Sequence, residues 1–413
     1  MKRRLAFAAL VALAMALATC APEPPGRTVL LITVDTLRAD HVGAWGNPEG
    51  TSPELDRLTR SAAQFRQCLS VSSWTMPAMG TLATGLPPSK HGLLYWHMPL
   101  ADVPETLSEV LAPGGIRSAF FGNPIPRLEG LDRGFDTWQT FEGNDHAAVV
   151  AATRWLGKSG GDRFVWVHLL GPHAPYDPRP ADLRSRPGVS AEALAYEGEV
   201  RTVDREIRTL LRAVGPDAAV IVTADHGETL DERRTMQFDH GKRLYEELLR
   251  VPGLVRFPGA AHELVSRPVI LADFPVTICD WFGEAPPAGA YGESLAALVR
   301  GDRSAPRREV TFASVVEDEP PAHRDRRWTA RGERWKAVYN VDKDRWDLFD
   351  LALDPEERID VSAQHPAELE YLRRELEDWR ADHAFPDLPF DRRFTPAELE
   401  RLQSLGYLGG ADR

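Results

Sequence analysis

The chain has 413 residues, 43% hydrophobic and 27% charged, the balance of an ordinary globular protein long enough to bury a large core. Its 61 acidic against 49 basic residues give a formal net charge of −12. That charge argues against nucleic acid as a partner, since phosphate-backbone binders gather Lys and Arg.

Residues 1–20 read as an export segment rather than as fold. Lys2, Arg3 and Arg4 precede an apolar stretch, Leu5 to Ala18, that is too short for a comfortable membrane span and ends Leu17-Ala18-Thr19-Cys20. The ending resembles a bacterial lipobox, with Cys20 lipidated as the new N-terminus. The expected location is therefore the cell envelope, membrane-anchored through Cys20 and facing the periplasm or the cell surface. A spacer over 21–27 follows. Cys68 and Cys279 are then left either to form one disulfide or to stay as two buried thiols.

Thr28 to Val34 is a continuous β-branched and aliphatic run that ends at Asp35. Arg163 to Leu170 leads into Gly171-Pro172-His173, and Ala219 to Ala224 ends at Asp225. Each run predicts a strand of a parallel sheet buried on both faces, with polar residues at its C-terminal end, where open α/β sheets place their sites. Val200, Val203, Ile207, Leu210, Leu211 and Val214 recur at helical spacing. The alternation predicts a doubly wound, mostly parallel α/β sheet with helices on both faces over 28–300. Charge and proline thicken after that, so 301–327 is expected to be an exposed connection. Residues 328–413 read as a small C-terminal α+β subdomain, with short antiparallel strands at 334–339 and 345–350 and a helix marked by Leu369, Leu372, Leu376 and Trp379.

Asp35 at a strand end is a rigid hard-oxygen ligand for a divalent cation, although alone it serves equally as a helix N-cap. Asp225-His226-Gly227-Glu228 offers a carboxylate and an imidazole side by side, and Gly227 lets the backbone turn sharply after them. The third segment is Ser73-Trp74-Thr75-Met76-Pro77-Ala78-Met79-Gly80-Thr81-Leu82-Ala83-Thr84-Gly85.

That segment resembles the sulfatase signature, in which Cys or Ser, any residue, Pro, a small residue and Arg are followed by Leu, any residue, Thr and Gly. Pro77, Leu82, Thr84 and Gly85 set the register, so Thr75 stands where the nucleophile belongs and Met79 where the arginine belongs. The likeness extends through the Asp35 strand, His173-Ala174-Pro175-Tyr176, Asp225-His226-Gly227-Glu228, His240-Gly241-Lys242, Arg250-Val251-Pro252 and Leu348-Phe349-Asp350-Leu351. The ending, Leu402 to Gly410, is similar to a bacterial lipoprotein branch.

The resemblance implies an alkaline-phosphatase-like fold and a hydrolase of sulfate or phosphate esters. It further implies one divalent metal held by Asp35, Asp225 and His226, with the Thr75 oxygen as a further ligand and nucleophile. His173 and His240 would be catalytic, and Asn123 and Lys242 would bind the anionic ester. The oxygen-rich shell with a single histidine leans toward Ca²⁺, Mg²⁺ or Mn²⁺, with Zn²⁺ the softer option. A second shell of His173, Asp177 and His240 is a two-metal variant.

The departures from the pattern carry their own information. Threonine cannot be oxidised to formylglycine by the family's route, so no formylglycine is expected. Thr36 stands where a second Asp commonly follows the first, Asn123 where a lysine is usual, and Met79 removes an arginine. The inventory favours phosphate mono- or diesters over sulfate. The alternatives are a phospho-group transferase at the envelope and a non-catalytic binding lipoprotein on a degenerate site.

Overall fold

Every residue of β1 (Thr28–Val34) is buried, because its continuous run of apolar and β-branched side chains leaves no face for water. It is the middle of an eight-stranded sheet with β2 (Ala63–Leu69), β3 (Arg117–Gly122), β4 (Thr137–Thr140), β5 (Arg163–Leu169), β6 (Ala219–Ala224), β7 (Arg250–Arg256) and β8 (Glu263–Ile270). The strand order is β4-β3-β5-β1-β6-β7-β2-β8. From β4 to β6 all neighbours are parallel, β7 runs antiparallel to β6 and β2, and β8 is parallel to β2. The computed structural model describes residues 26–385 apart from 95–99, 101–103, 125–129, 159, 234–235, 305–307 and 320–322. The lipobox with Cys20, most of the spacer and the chain's ending lie outside the described residues.

Helices surround the sheet. The longer of these are α1 (Thr75–Thr84), α2 (Asp145–Leu156), α3 (Ala191–Val214) and α4 (Asp273–Phe282). In α3 the predicted stripe is the core face: Val200, Val203, Ile207 and Leu210 are all buried. Cys68 and Cys279 are both buried free thiols, which resolves that pair. No helix among the described residues is long and apolar enough to cross a membrane.

A second, antiparallel sheet has the order β12-β11-β10-β9, formed by β9 (Thr311–Glu319), β10 (His323–Arg331), β11 (Trp335–Asn340) and β12 (Arg345–Asp350). One face packs Trp328, Ala330, Ala337 and Leu348 against Leu372 and Leu376 of α5 (Pro366–His383). The expected connection over 301–327 is corrected here, since most of it is β9 and the start of β10. Charge density signals exposure only when the charges are solvated, and here they are paired: Arg326 with Asp342 at 2.7 Å and Arg327 with Asp325 at 2.5 Å. Ala313 and Val315 of β9 join the main core, so the small sheet packs against the main unit through this end strand.

Candidate active site

Parallel register brings the site together. Thr33 is level with His168 on β5 and with Thr223 on β6, and Val34 is level with Ala224. Strand alternation then puts Thr33, Asp35, His168 and Asp225 on one face of three adjacent strands. The Asp35 N–H donates to Leu169 O at 2.8 Å, which carries the ladder one step past the end of β1.

Thr75 arrives from above as the first residue of α1. Pro77 fits the first turn, where its missing N–H costs nothing. Gly85, at φ 70, closes the helix with its N–H on Thr81 O at 2.7 Å, while Thr84 Oγ1 donates to Gly80 O at 2.7 Å. Gly80 is needed for closeness: a Cβ there would lie 2.5 Å from the His91 ring. These constraints set Thr75 at the helix's N-terminal end, where the backbone favours negative charge.

The side chains converge without satisfying one another. Thr75 Oγ1 is 3.2 Å from His226 Nε2 and 3.5 Å from Asp35 Oδ2. His226 Nε2 is 3.6 Å from Asp35 Oδ1 and 3.5 Å from Asp225 Oδ2. His226 Nδ1 faces Gly227 O at 2.8 Å, so in the neutral ring that nitrogen carries the hydrogen and Nε2 presents a lone pair to the carboxylates. Asp35 Oδ1, Asp225 Oδ2 and His168 Nε2 are fully buried with no hydrogen-bond partner among the described residues. Ligand atoms of Asp35, His168 and Asp225 all lie within 4.8 Å of one another, a group able to hold a metal ion. Orphaned buried donors of one polarity around a common point fit a divalent cation.

The charges point the same way. Burial alone would raise Asp35, but the imidazoles of His173, His168 and His226 hold its carboxyl far below the usual range. Burial, and then the charge of Asp35, push Asp225 up. Two buried carboxylates driven apart in this way are what a cation between them would bring back to a common ionised state.

His173 and His240 line the same space, with ring centroids 5.1 Å apart and His240 4.6 Å from His226. Burial pushes the His173 imidazole down, so it is neutral near pH 7. Burial also works against a charge on His240, but the Glu228 carboxylate at 3.2 Å outweighs it and raises His240 to about 9. Lys242 is partly exposed, with Nζ 3.0 Å from Asp239. Asn123 is turned into the fold: its amide donates to Asp145 Oδ1 at 2.8 Å and its carbonyl accepts from Gly143 N at 2.7 Å. Asp145 in turn accepts the N–H groups of Leu170 and Gly171, so Asn123 braces the loop that leads to His173. Asp177 is exposed with its N–H on Glu199, outside the metal-holding group, which leaves the two-metal variant without a built second shell among the described residues.

Met79 is wholly buried in the apolar core and brings no charge. Thr36 sits at φ 55, an uncommon conformation for a β-branched residue, held by its N–H to Asp225 Oδ1 at 3.3 Å and by Tyr196 Oη donating to its carbonyl at 2.8 Å. Local sequence pattern does not mark two residues of the site. His168 lies inside an apolar run, and Glu228 stands out only as part of a motif. The signal for His168 is the alternation itself, legible once β5 is known to lie beside β1.

The profile of the family described as Sulfatase matches residues 27–284, and that of N-sulphoglucosamine sulphohydrolase, C-terminal, matches 236–382. An ulvan-active sulfatase of Formosa agariphila is 23% identical over 355 residues, covering 71% of this chain and 69% of that protein. A phosphonate monoester hydrolase of Agrobacterium radiobacter has a similar fold at TM-score 0.74 and 22% identity, covering 87% of this chain and 96% of that one. So does a protein solved with its substrate D-glucosamine-2-N,6-O-disulfate, at TM-score 0.76 and 17% identity, covering 90% and 100%.

Proposed function

From the premise that the chain belongs to the sulfatase family of ester hydrolases, we propose that it is a metal-dependent hydrolase of anionic esters, with the Thr75 hydroxyl as nucleophile and phosphate mono- and diesters preferred to sulfate esters. The observation that carries this reading is the position of Thr75 Oγ1. It is buried at the N-terminal end of α1, 3.2 Å from His226 Nε2 and 3.5 Å from Asp35 Oδ2, where the family has its modified nucleophile and where threonine cannot become one.

A divalent ion held by Asp35, Asp225 and His226 beside Thr75 would supply Lewis acidity toward the ester oxygens. The remaining work falls to the protein's own groups. Thr75 gives up its proton to solvent, and its oxygen bonds to phosphorus as the bond to the leaving oxygen breaks. His240, held charged at neutral pH by Glu228, gives that oxygen a proton. Water then cleaves the Thr75 ester and restores the hydroxyl. His173 is neutral and its Nδ1 faces Ala174 O at 2.5 Å, which leaves Nε2 as the atom to take that water's proton. Lys242 adds a point charge for the incoming anion. Lipidation at Cys20 would keep this chemistry at the cell envelope.

Met79, buried and uncharged, and the inward-turned Asn123 leave the pocket with fewer cations than a sulfate site would use. The similar fold of a phosphonate monoester hydrolase supports a phosphorus ester, while the sulfatase relatives keep sulfate as the competing substrate. Paired p-nitrophenyl phosphate, bis-p-nitrophenyl phosphate and p-nitrophenyl sulfate, tested with wild type and Thr75→Ala, decide between them. The expected result is turnover of a phosphoester that falls by about 10³-fold or more in the variant. Turnover of the sulfate alone would reverse the preference, and phosphoester turnover that survives Thr75→Ala would remove the nucleophile.

A further inference from the structure

His168 belongs to the buried donor group although no motif announces it. Its ring is fully buried, and Nε2 has no hydrogen-bond partner among the described residues. The other nitrogen, Nδ1, is 2.8 Å from Thr33 Oγ1, an oxygen into which Trp166 Nε1 donates at 2.9 Å. A hydroxyl oxygen has two acceptor lone pairs, so Thr33 can receive both N–H groups, and the ring then presents the Nε2 lone pair toward Asp35. A buried polar atom left without a partner costs about 1–3 kcal/mol. A cation at that point removes that penalty.

The spacing agrees. His168 Nε2 lies 3.7 Å from Asp35 Oδ2, too far for a hydrogen bond. Donor atoms sharing one ion at bonds of about 2.1 Å stand roughly 3.0–3.4 Å apart between right-angle and tetrahedral geometry, and up to about 4.2 Å apart across the ion. The contacts among Thr75, Asp35, Asp225 and His226, from 3.2 to 3.6 Å, fall in the same range. Spacing does not choose the ion, but the chemistry of the donors does. Thr36, directly after Asp35, brings a hydroxyl and no carboxylate, whereas β5 brings a second imidazole.

We propose that His168 Nε2 is a direct metal ligand in place of the carboxylate that Thr36 does not supply, and that the site selects a first-row transition ion such as Mn²⁺ or Zn²⁺ over Ca²⁺ and Mg²⁺. All-oxygen cages suit Ca²⁺ and Mg²⁺, and each imidazole moves the preference toward transition ions. The inference rests on the metal-dependent reading above and shifts its choice of ion, which had assumed a single histidine. Thr33 and Trp166 are positioning residues, fixing the tautomer and aim of the ring as hydrogen-bond partners of metal-bound histidines do.

The test reads binding without turnover. The full chain, stripped with chelator, is titrated calorimetrically with Mn²⁺, Zn²⁺, Ca²⁺ and Mg²⁺ as wild type, His168→Asp and Thr33→Val, and pulsed EPR of the Mn²⁺-loaded wild type counts coordinated imidazole nitrogens. The expected results are at least tenfold tighter binding of Mn²⁺ and Zn²⁺ than of Ca²⁺ and Mg²⁺, two imidazoles in the spectrum, and a narrowed or inverted preference in His168→Asp. Thr33→Val keeps the ring but loses its acceptor and should weaken Mn²⁺ and Zn²⁺ binding by about tenfold. A wild type that prefers Ca²⁺ or Mg²⁺, or a spectrum with a single imidazole, overturns the proposal without any variant having to fold. Two imidazoles in a protein that hydrolyses none of the esters would keep this inference and sink the hydrolase reading; robust hydrolysis with one imidazole would do the reverse.

Discussion

Glu228 and His240 form a buried pair, with Oε1 3.2 Å from Nδ1 and side chains 0% and 11% exposed. Tyr176 Oη donates to the second carboxylate oxygen at 3.4 Å, which fixes the carboxylate's orientation. Because the histidine pKa is raised to about 9, the charged form persists through neutral pH and is lost as pH rises through that value. Hydrolysis that uses His240 as its acid therefore has an alkaline limb near 9. In Glu228→Gln the limb should move down by about one and a half units, so that kcat at pH 8.5 falls about tenfold while kcat at pH 6 changes little. A pH–rate profile of both proteins checks this, and an unmoved limb would assign the acid elsewhere.

Glu199 supplies a pH effect of opposite use, on stability. Burial raises its carboxyl to about 7, and Asp145, Asp177 and Asp182 add to the rise against the N–H of Asp177. A carboxyl with a folded pKa above its unfolded value binds its proton more tightly in the native state. Stability is thus lost as pH rises from the unfolded value, near 4.5, through about 7. Glu199→Gln should match wild type at pH 4 and exceed it at pH 8 by about 1 kcal/mol, allowing for screening of a partly exposed group. Denaturant melts at the two pH values measure the crossover.

The small sheet is held to the large one by Lys336, which is fully buried with Nζ 2.9 Å from Glu357 and 3.3 Å from Glu246. Arg331 reaches the same Glu246 at 3.3 Å and also bonds Gln67 of β2. Removing the shared cation leaves two buried carboxylates with less compensation, at a cost of about 3–5 kcal/mol. Lys336→Met should lower the denaturation midpoint and expose the 331–360 segment to limited proteolysis. Adding Glu357→Leu should recover part of the loss, since it removes the stranded charge.

Much of this architecture was legible where a single period decided the outcome. β1 and β6 have the bounds their apolar runs predict, and Asp35 and Asp225 follow from them. His168 was not legible in the same way, because it is polar inside an apolar run and acquires meaning only from the register of β5 against β1. Asn123 shows the converse. Its position came from a likeness of segments, whereas its hydrogen bonds to Asp145 and Gly143 depend on loops that no local pattern describes. β9 and β10 were obscured because pairing across strands, which neutralises their charges, cannot be seen along one strand.

Gly227 offers the sharpest structural test of how the site is held. Its N–H donates to Leu248 O at 2.8 Å, so the turn after His226 lies directly on the 246–249 helix, and a Cβ at this position would fall 1.9 Å from Glu247 O. The obstacle is backbone, which cannot swing aside as a side chain could. Gly227→Ala must therefore displace either the turn or the helix, and the turn carries His226 on one side and Glu228 on the other. A displacement near 1 Å is enough to cost about 10²-fold in rate. The expected outcome is that loss in kcat together with weaker Mn²⁺ binding by calorimetry. Gly259→Ala is the control: it has φ +74 but, its chain neighbours aside, no atom of the described residues within 4 Å of the added Cβ, so it should cost stability of about 1 kcal/mol and leave both site measurements unchanged. If Gly227→Ala lost stability no more than the control and kept its kcat, the turn would not be what positions His226 and Glu228.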